Sequence, residues 1–193
     1  MGSCSLSILE PLSEVFKNLV SPSHPRYHRE SYREYLASLE SRLENMLDDP
    51  KLCHIVDQIA QDGSRAGSVL DLFRLAALVY LERTSKNFSG QSAKIEAWTD
   101  AAFEIISTLR VCKHKFPLFV FGCEADSDAR RILILDAISE TEKKKKHTLN
   151  MQSLHQLVQS VWNQDDLQAD RRIDYNEKLN TVFSAFETVP SFA

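Results

Sequence analysis

Apolar positions recur at steps of three and four along nearly the whole chain, the spacing of helices that turn one face to a core. Leu9, Leu12, Val15, Phe16, Leu19 and Val20 mark a first segment over Leu6–Val20, closed by Ser21-Pro22 and Pro25. Tyr32, Leu36, Leu39, Leu43, Met46 and Leu47 form a second stripe, with Glu and Arg on the opposite face. Asp48-Asp49-Pro50 ends it, and Pro50 suits the first turn of a short helix carrying Leu52, Ile55, Val56 and Ile59. Gly63–Gly67 reads as a loop. Ser68–Arg83 is apolar nearly all round and therefore needs neighbours on most sides, so it is expected to be a central buried helix.

The second half follows the same period. After a loop at Asn87–Gln91, Ser92–Cys112 places Ile95, Trp98, Ala102, Ile105, Leu109 and Cys112 on one face. Phe116-Pro117-Leu118-Phe119-Val120-Phe121 is short and wholly apolar, so periodicity alone reads it equally as a strand or a buried helix. Asp126-Ser127-Asp128 offers an N-cap with acids in the first turn, opening a helix through Ile132, Leu135 and Ile138. Met151, Leu154, Leu157, Val158, Val161 and Trp162 mark a further helix, and Tyr175, Leu179, Val182, Phe183 and Phe186 a last one. The pattern predicts one all-α domain over residues 1–193, an irregular array of seven or eight helices around the segment near 68–83.

Composition agrees and excludes rivals. The 193 residues carry 5 Gly and 6 Pro, too few for a turn-rich β sandwich or barrel. With 43% hydrophobic and 26% charged residues the chain has the make-up of a globular domain. The 23 Lys+Arg against 27 Asp+Glu leave a net charge of −4, which argues against a nucleic-acid binder held by a basic face. Cys4, Cys53, Cys112 and Cys123 are far apart and form no CxxC pair, so a zinc site built from local ligand pairs is not expected. Met1–Ser7 has neither the basic start nor the apolar core of a secretory signal, so reduced, mostly buried thiols are expected. Leu6 stands where a myristoylation signal would have Ser or Thr. No window reaches the roughly 18 apolar residues of a membrane span.

Candidate chemistry is sparse. The six histidines show no HxxxH or HExxH spacing on a helix, and no GxSxG, GxGxxG or GxxxxGK[ST] motif occurs. Cys53 with His54 and Cys112 near His114 are close in sequence, but neighbours on a helix point apart. No catalytic, cofactor-binding or metal-ligating residue is expected. Lys143, Lys144, Lys145 and Lys146 read as a solvated helix end or as a nuclear-import run. Arg130-Arg131 beside Asp126 and Asp128 reads as a surface ion-pair cluster, with an anion site as the alternative. Trp98, Phe103, Phe116, Phe119, Phe121 and Trp162 suit either plain core or an apolar cavity wall.

Several segments, in order, resemble the C-terminal regulatory half of fungal zinc binuclear-cluster transcription factors. The strongest is Pro117-Leu118-Phe119-Val120-Phe121-Gly122-Cys123-Glu124-Ala125, followed by Arg130 and Ile132-Leu133. Arg74-Leu75-Ala76-Ala77-Leu78-Val79-Tyr80-Leu81 resembles that family's central helix, and Val161-Trp162-Asn163-Gln164-Asp165 its late Trp-containing helix. Tyr175, Leu179-Asn180-Thr181-Val182 and Val189-Pro190-Ser191-Phe192-Ala193 resemble its final stretch, and Gly2-Ser3-Cys4-Ser5-Leu6 an internal one.

The resemblance implies an all-helical regulatory domain and turns 116–123 toward helix, with Pro117 near its start. It implies a nuclear transcription regulator, with the cytoplasm as the alternative, that acts through partners of the transcription machinery or a full-length regulator and can form a homodimer. It also implies an apolar ligand held by Trp98, Phe119, Phe121 and Trp162, and a structural polar pair of Glu124 with Arg130. The six-cysteine cluster that reads DNA in that family is absent from this sequence, so direct DNA binding is not expected of it. The chain then reads as a fragment, a truncated product or a domain that works alone. A stand-alone metabolite-binding protein or non-redox enzyme of fungal secondary metabolism is the rival reading.

Overall fold

A computed structural model describes residues 6–20, 22, 24–48, 65–109, 111–144, 151–167 and 174–185. Among them the regular elements are α1 (Leu6–Asn18), α2 (Glu30–Glu44) with a 3-10 turn at Asn45–Asp48, α3 (Arg65–Lys86), α4 (Ala93–Leu109), α5 (Lys115–Cys123), α6 (Asp128–Lys144), α7 (Met151–Leu167) and α8 (Tyr175–Ser184). No strand occurs among the described residues, and the all-α expectation holds. The chain divides into two compact units, Met1–Asn87 and Phe88–Ala193.

In the first unit α1, α2 and α3 pack on one another. Val15 from α1, Tyr32, Leu39 and Leu43 from α2, Met46 from the 3-10 turn, and Leu72, Leu75–Val79 and Leu81 from α3 are buried. Each such aliphatic side chain removed from water contributes about 1.5–3 kcal/mol. Five successive buried residues on α3 are what its apolar circumference predicts. The helix is longer than expected: it begins at Arg65, so Gly67 is helical, and it runs on to Lys86. It stops at Asn87, whose φ of 48° is the left-handed conformation that closes helices and that Asn tolerates better than most residues. The second stripe is helical only to Glu44, and Met46 is buried from the tighter turn that follows. The short helix expected around Leu52–Ile59 lies outside the described residues.

In the second unit α5 is the most enclosed element, touching α4, α6 and α7, while α8 lies against α7. Every residue from Phe116 to Gly122 is buried. The ambiguous apolar run is therefore a helix packed on all sides. Pro117 fits because it lies in the first turn, where a backbone N–H has no helical acceptor to lose.

Two faces turn differently from the expected ones. On α4 the buried positions are Ile95, Thr99, Ala102, Phe103, Ile106 and Leu109, so Trp98 and Ile105 stand at the rim. Cys112 lies beyond the helix, where the Thr141 hydroxyl donates to its carbonyl at 3.0 Å. On α6 the core takes Ile134, Ala137, Ile138 and Thr141, while Ile132 is 56% exposed. Four apolar residues in a row, Ile132–Leu135, leave that helix without a preferred face of its own. Arg131 and Thr141 on this helix hydrogen-bond Asp166 and the Cys112 carbonyl.

Candidate functional site

Two of the family-resembling segments, Pro117–Ala125 and Val161–Asp165, meet in the second unit. The Trp162 indole N–H, buried on α7, donates to the Gly122 carbonyl on α5 at 2.7 Å. That approach needs a glycine: a Cβ at position 122 would sit 2.8 Å from Val158 Cγ2 and 3.0 Å from its Cγ1. The small residue lets α5 and α7 close up, and the ring then lies one turn further along α7.

Arg131 at the start of α6 locks the same corner. Its guanidinium donates to both Asp166 carboxylate oxygens, at 3.1 and 2.9 Å, and its Nε–H to the Ala125 carbonyl at 3.3 Å. The guanidinium carbon lies 5.4 Å from the Trp162 ring centroid, within cation–π range. The fork matches the carboxylate bidentately. The hydrogen bond from Arg131 is the main cause holding the Asp166 carboxyl below its ordinary range, and the same bond raises the Arg131 guanidinium. Lys178 on α8, only 10% exposed in its side chain, donates to Asp165 at 2.7 Å and ties α8 to α7.

Cys123 sits beside this corner. Part of the residue reaches the surface, yet burial pushes its thiol up to about 12, against a smaller lowering effect of Lys178. Burial also raises the Cys112 thiol, which donates to the His114 carbonyl at 3.7 Å. Both are protonated at neutral pH and are poor nucleophiles or metal ligands. Among the described residues no group of three or more His, Cys, Asp or Glu is placed to hold a metal.

The expected ligand-lining residues each meet a different neighbour. Phe121 is fully buried and meets Phe103 edge-on at 6.3 Å, whereas Phe119 packs on Phe183 at 5.7 Å. Trp162 serves the Gly122 corner, and Trp98 is half-buried with the Lys94 ammonium 4.9 Å from its ring centroid. Cavities open elsewhere. One of about 580 Å³ in the second unit is lined by Ile106, Ser107, Val111, Leu133, Asp136, Ala137 and Glu140. The first unit has one of about 360 Å³ walled by Tyr27, Tyr32, Leu36 and Leu81, and another of about 330 Å³ by the end of α1 and the start of α2.

Arg130 bonds Asp126 at 3.2 Å and also Asp100, and lies over the Phe103 ring at 5.1 Å, which makes it part of an ion-pair cluster. Glu124 supplies the C-cap of α5 through its backbone N–H. Lys143 is exposed and paired with Glu140 at 2.7 Å. The side chain of Lys144, and Lys145 and Lys146 altogether, lie outside the described residues. Sequence reading placed Arg131 in a surface ion-pair cluster and Val158 on a helix face, but missed Asp166 and the contacts these residues make at the Gly122 corner. The clue was a lone Gly inside an apolar run, which marks a close backbone approach.

The profile of the fungal-specific transcription factor domain matches residues 1–181. A similar protein, "Transcription factor iacI" of Pestalotiopsis fici, is 29% identical over 188 residues, covering 96% of this chain and 46% of that protein. The chain thus spans about half the length of this relative. No solved structure matches. Among the described residues no helix is long and apolar enough to cross a membrane. The chain belongs to the fungal-specific transcription factor domain family.

Proposed function

We propose that the chain is a transcription-regulator domain that works in the nucleus through contacts with other proteins. The observation that carries this reading is how Gly122, Ala125 and Trp162, from the family-resembling segments, are held together with Arg131 and Asp166. Gly122, Ala125, Arg131, Trp162 and Asp166 bond one another. Side chains committed in this way build a scaffold and leave recognition to its outer faces. Ile132, exposed beside that corner, is suited to contact of this kind. The family match crosses both compact units, which supports treating them as one regulatory domain. With four cysteines the chain lacks a six-cysteine cluster, so DNA reading is assigned to another segment or partner.

A second reading, control by a small apolar ligand, is favoured by the 580 Å³ cavity, whose volume is typical of ligand sites. A ligand would act by binding one conformation better than another. In this reading Phe119, Phe121 and Trp162 serve the core rather than the ligand.

The test fuses the chain to an unrelated DNA-binding domain and measures a reporter gene, with tagged protein imaged in the same cells. Nuclear accumulation and a reporter level changed from that of the DNA-binding domain alone are expected. A folded, nuclear fusion that leaves the reporter unchanged would overturn the protein-contact reading. Native mass spectrometry of protein from a fungal host decides the second reading, which is lost if no small molecule accompanies the chain.

A further inference from the structure

The cavity of about 330 Å³ in the first unit is lined by Asn18, Arg26, Arg29, Ser31, Tyr32 and Tyr35. Its chemistry is one-sided. Arg26 and Arg29 both reach it, and neither forms an ion pair with any described residue. The other charges around it are already matched: Arg33 pairs with Glu30 at 3.0 Å, and Arg42 with Glu14 at 2.8 Å. Both exposed arginines thus line a cavity whose described lining includes no carboxylate.

The tyrosines provide a second, independent observation. Tyr32 is buried, 5% exposed, and its hydroxyl oxygen accepts the Val20 N–H at 3.0 Å. The hydroxyl proton has no acceptor among the described residues, so a buried donor remains to be used at the cavity wall. The Tyr35 hydroxyl accepts from Asn18 at 2.9 Å and donates to Glu14 at 3.3 Å. Burial is the main cause raising the Tyr35 phenol, so it is neutral and does not repel an anion. Ser31, which also lines the cavity, carries a further hydroxyl donor.

We infer that this cavity binds a phosphomonoester dianion, held by the Arg26 and Arg29 guanidiniums with hydroxyl donors from Tyr32 and Ser31. Two forks and two hydroxyls offer more donors than a carboxylate can accept, whereas three phosphoryl oxygens can take them all. Neither the site nor its ligand class depends on the protein-contact reading, since it lies in the first unit and uses none of the residues at the Gly122 corner. A free phosphate ester and a phosphorylated side chain of a partner present the same group.

The test titrates the full chain with inorganic phosphate by two-dimensional amide NMR at constant ionic strength, with acetate as the control. Saturable shifts at residues 24–35 are expected, and acetate is expected to produce none. Arg26→Ala/Arg29→Ala should weaken phosphate binding by about tenfold or more, the loss of two charge-assisted contacts. Tyr32→Phe should weaken it by a smaller factor. Arg29→Lys keeps the charge without the fork and guards against misfolding of the double variant; it should retain only part of the affinity. Non-saturable shifts, equal binding of acetate, or affinity unchanged in the arginine variants would each overturn the site. Comparing O-phosphoserine with a phosphoserine peptide identifies the source: equal affinity means a free ester, and a clearly tighter peptide means a partner segment.

Discussion

Position 122 is decided by less than an ångström. An alanine there gains about 1 kcal/mol of helix propensity over glycine. Its Cβ, however, would meet Val158 at 2.8 Å, and Val158 is a stiff, fully buried β-branched side chain. Overpacking of this sort costs about 1–3 kcal/mol, so Gly122→Ala should lower stability on denaturant unfolding. Val158→Ala alone should cost about 2 kcal/mol through the cavity it leaves. The double variant should lose less than the sum of the two by about 1 kcal/mol, and strict additivity would mean that the two residues do not touch.

Cys123 poses the same kind of question in electrostatic terms. A thiol pushed up to about 12 when folded, from an ordinary 9.0, favours the folded state as long as it stays protonated. The unfolded chain gives up its proton first, so this contribution is complete below pH 9 and is lost as pH rises toward 12. Cys123 should accordingly resist iodoacetamide at pH 8 in the native protein and react once the chain is unfolded, as read by peptide mass spectrometry. Labelling at the rate of an ordinary cysteine would contradict the burial assigned to it.

At the level of elements, α5 carries the clearest lesson. Nine residues with no polar face cannot be stable as an isolated helix, so its helicity is tertiary in origin. The backbone still obeys local rules. Pro117 lies in the first turn and removes no helical hydrogen bond, so Pro117→Ala should change stability by less than about 1 kcal/mol. Val120→Pro, in the interior and fully buried, should cost about 3 kcal/mol or more and dismantle the contacts with α4, α6 and α7. Circular dichroism and thermal unfolding separate the two cases. The α6 helix teaches the converse. Its Ile132–Leu135 run gave no period to read, and the buried face proved to be the one through Ile134, Ala137, Ile138 and Thr141 rather than the one through Ile132.

For the whole molecule, the scaffold and the surfaces it presents divide the work. The second unit holds an interlocked corner of α5, α6 and α7. In the first unit Arg26 and Arg29, which form no ion pair with a described residue, line one cavity together with the buried Tyr32. A net charge of −4 first argued against broad affinity for phosphate backbones, and it still does. A local cationic pocket on a mildly acidic chain is a different object, because short-range bidentate contacts depend on the arginines at hand rather than on the total charge.

The sequence by itself determined the helices and the family. Three- and four-residue spacing is local, and proline, glycine and capping residues mark its ends without help from distant parts of the chain. It also pointed to Gly122, Trp162 and the segments around them. Their partnership depended on tertiary structure, because Gly122 and Trp162 are 40 positions apart and only packing brings the indole N–H to the carbonyl. Packing likewise determined which neighbour each of the four aromatic candidates meets, that α6 turns Ile132 outward, and that Arg131 bonds the Ala125 carbonyl and Asp166. Hydrophobic periodicity states which residues seek burial. Which face meets which neighbour depends on close contacts and hydrogen-bond geometry, and those exist only once the chain has folded.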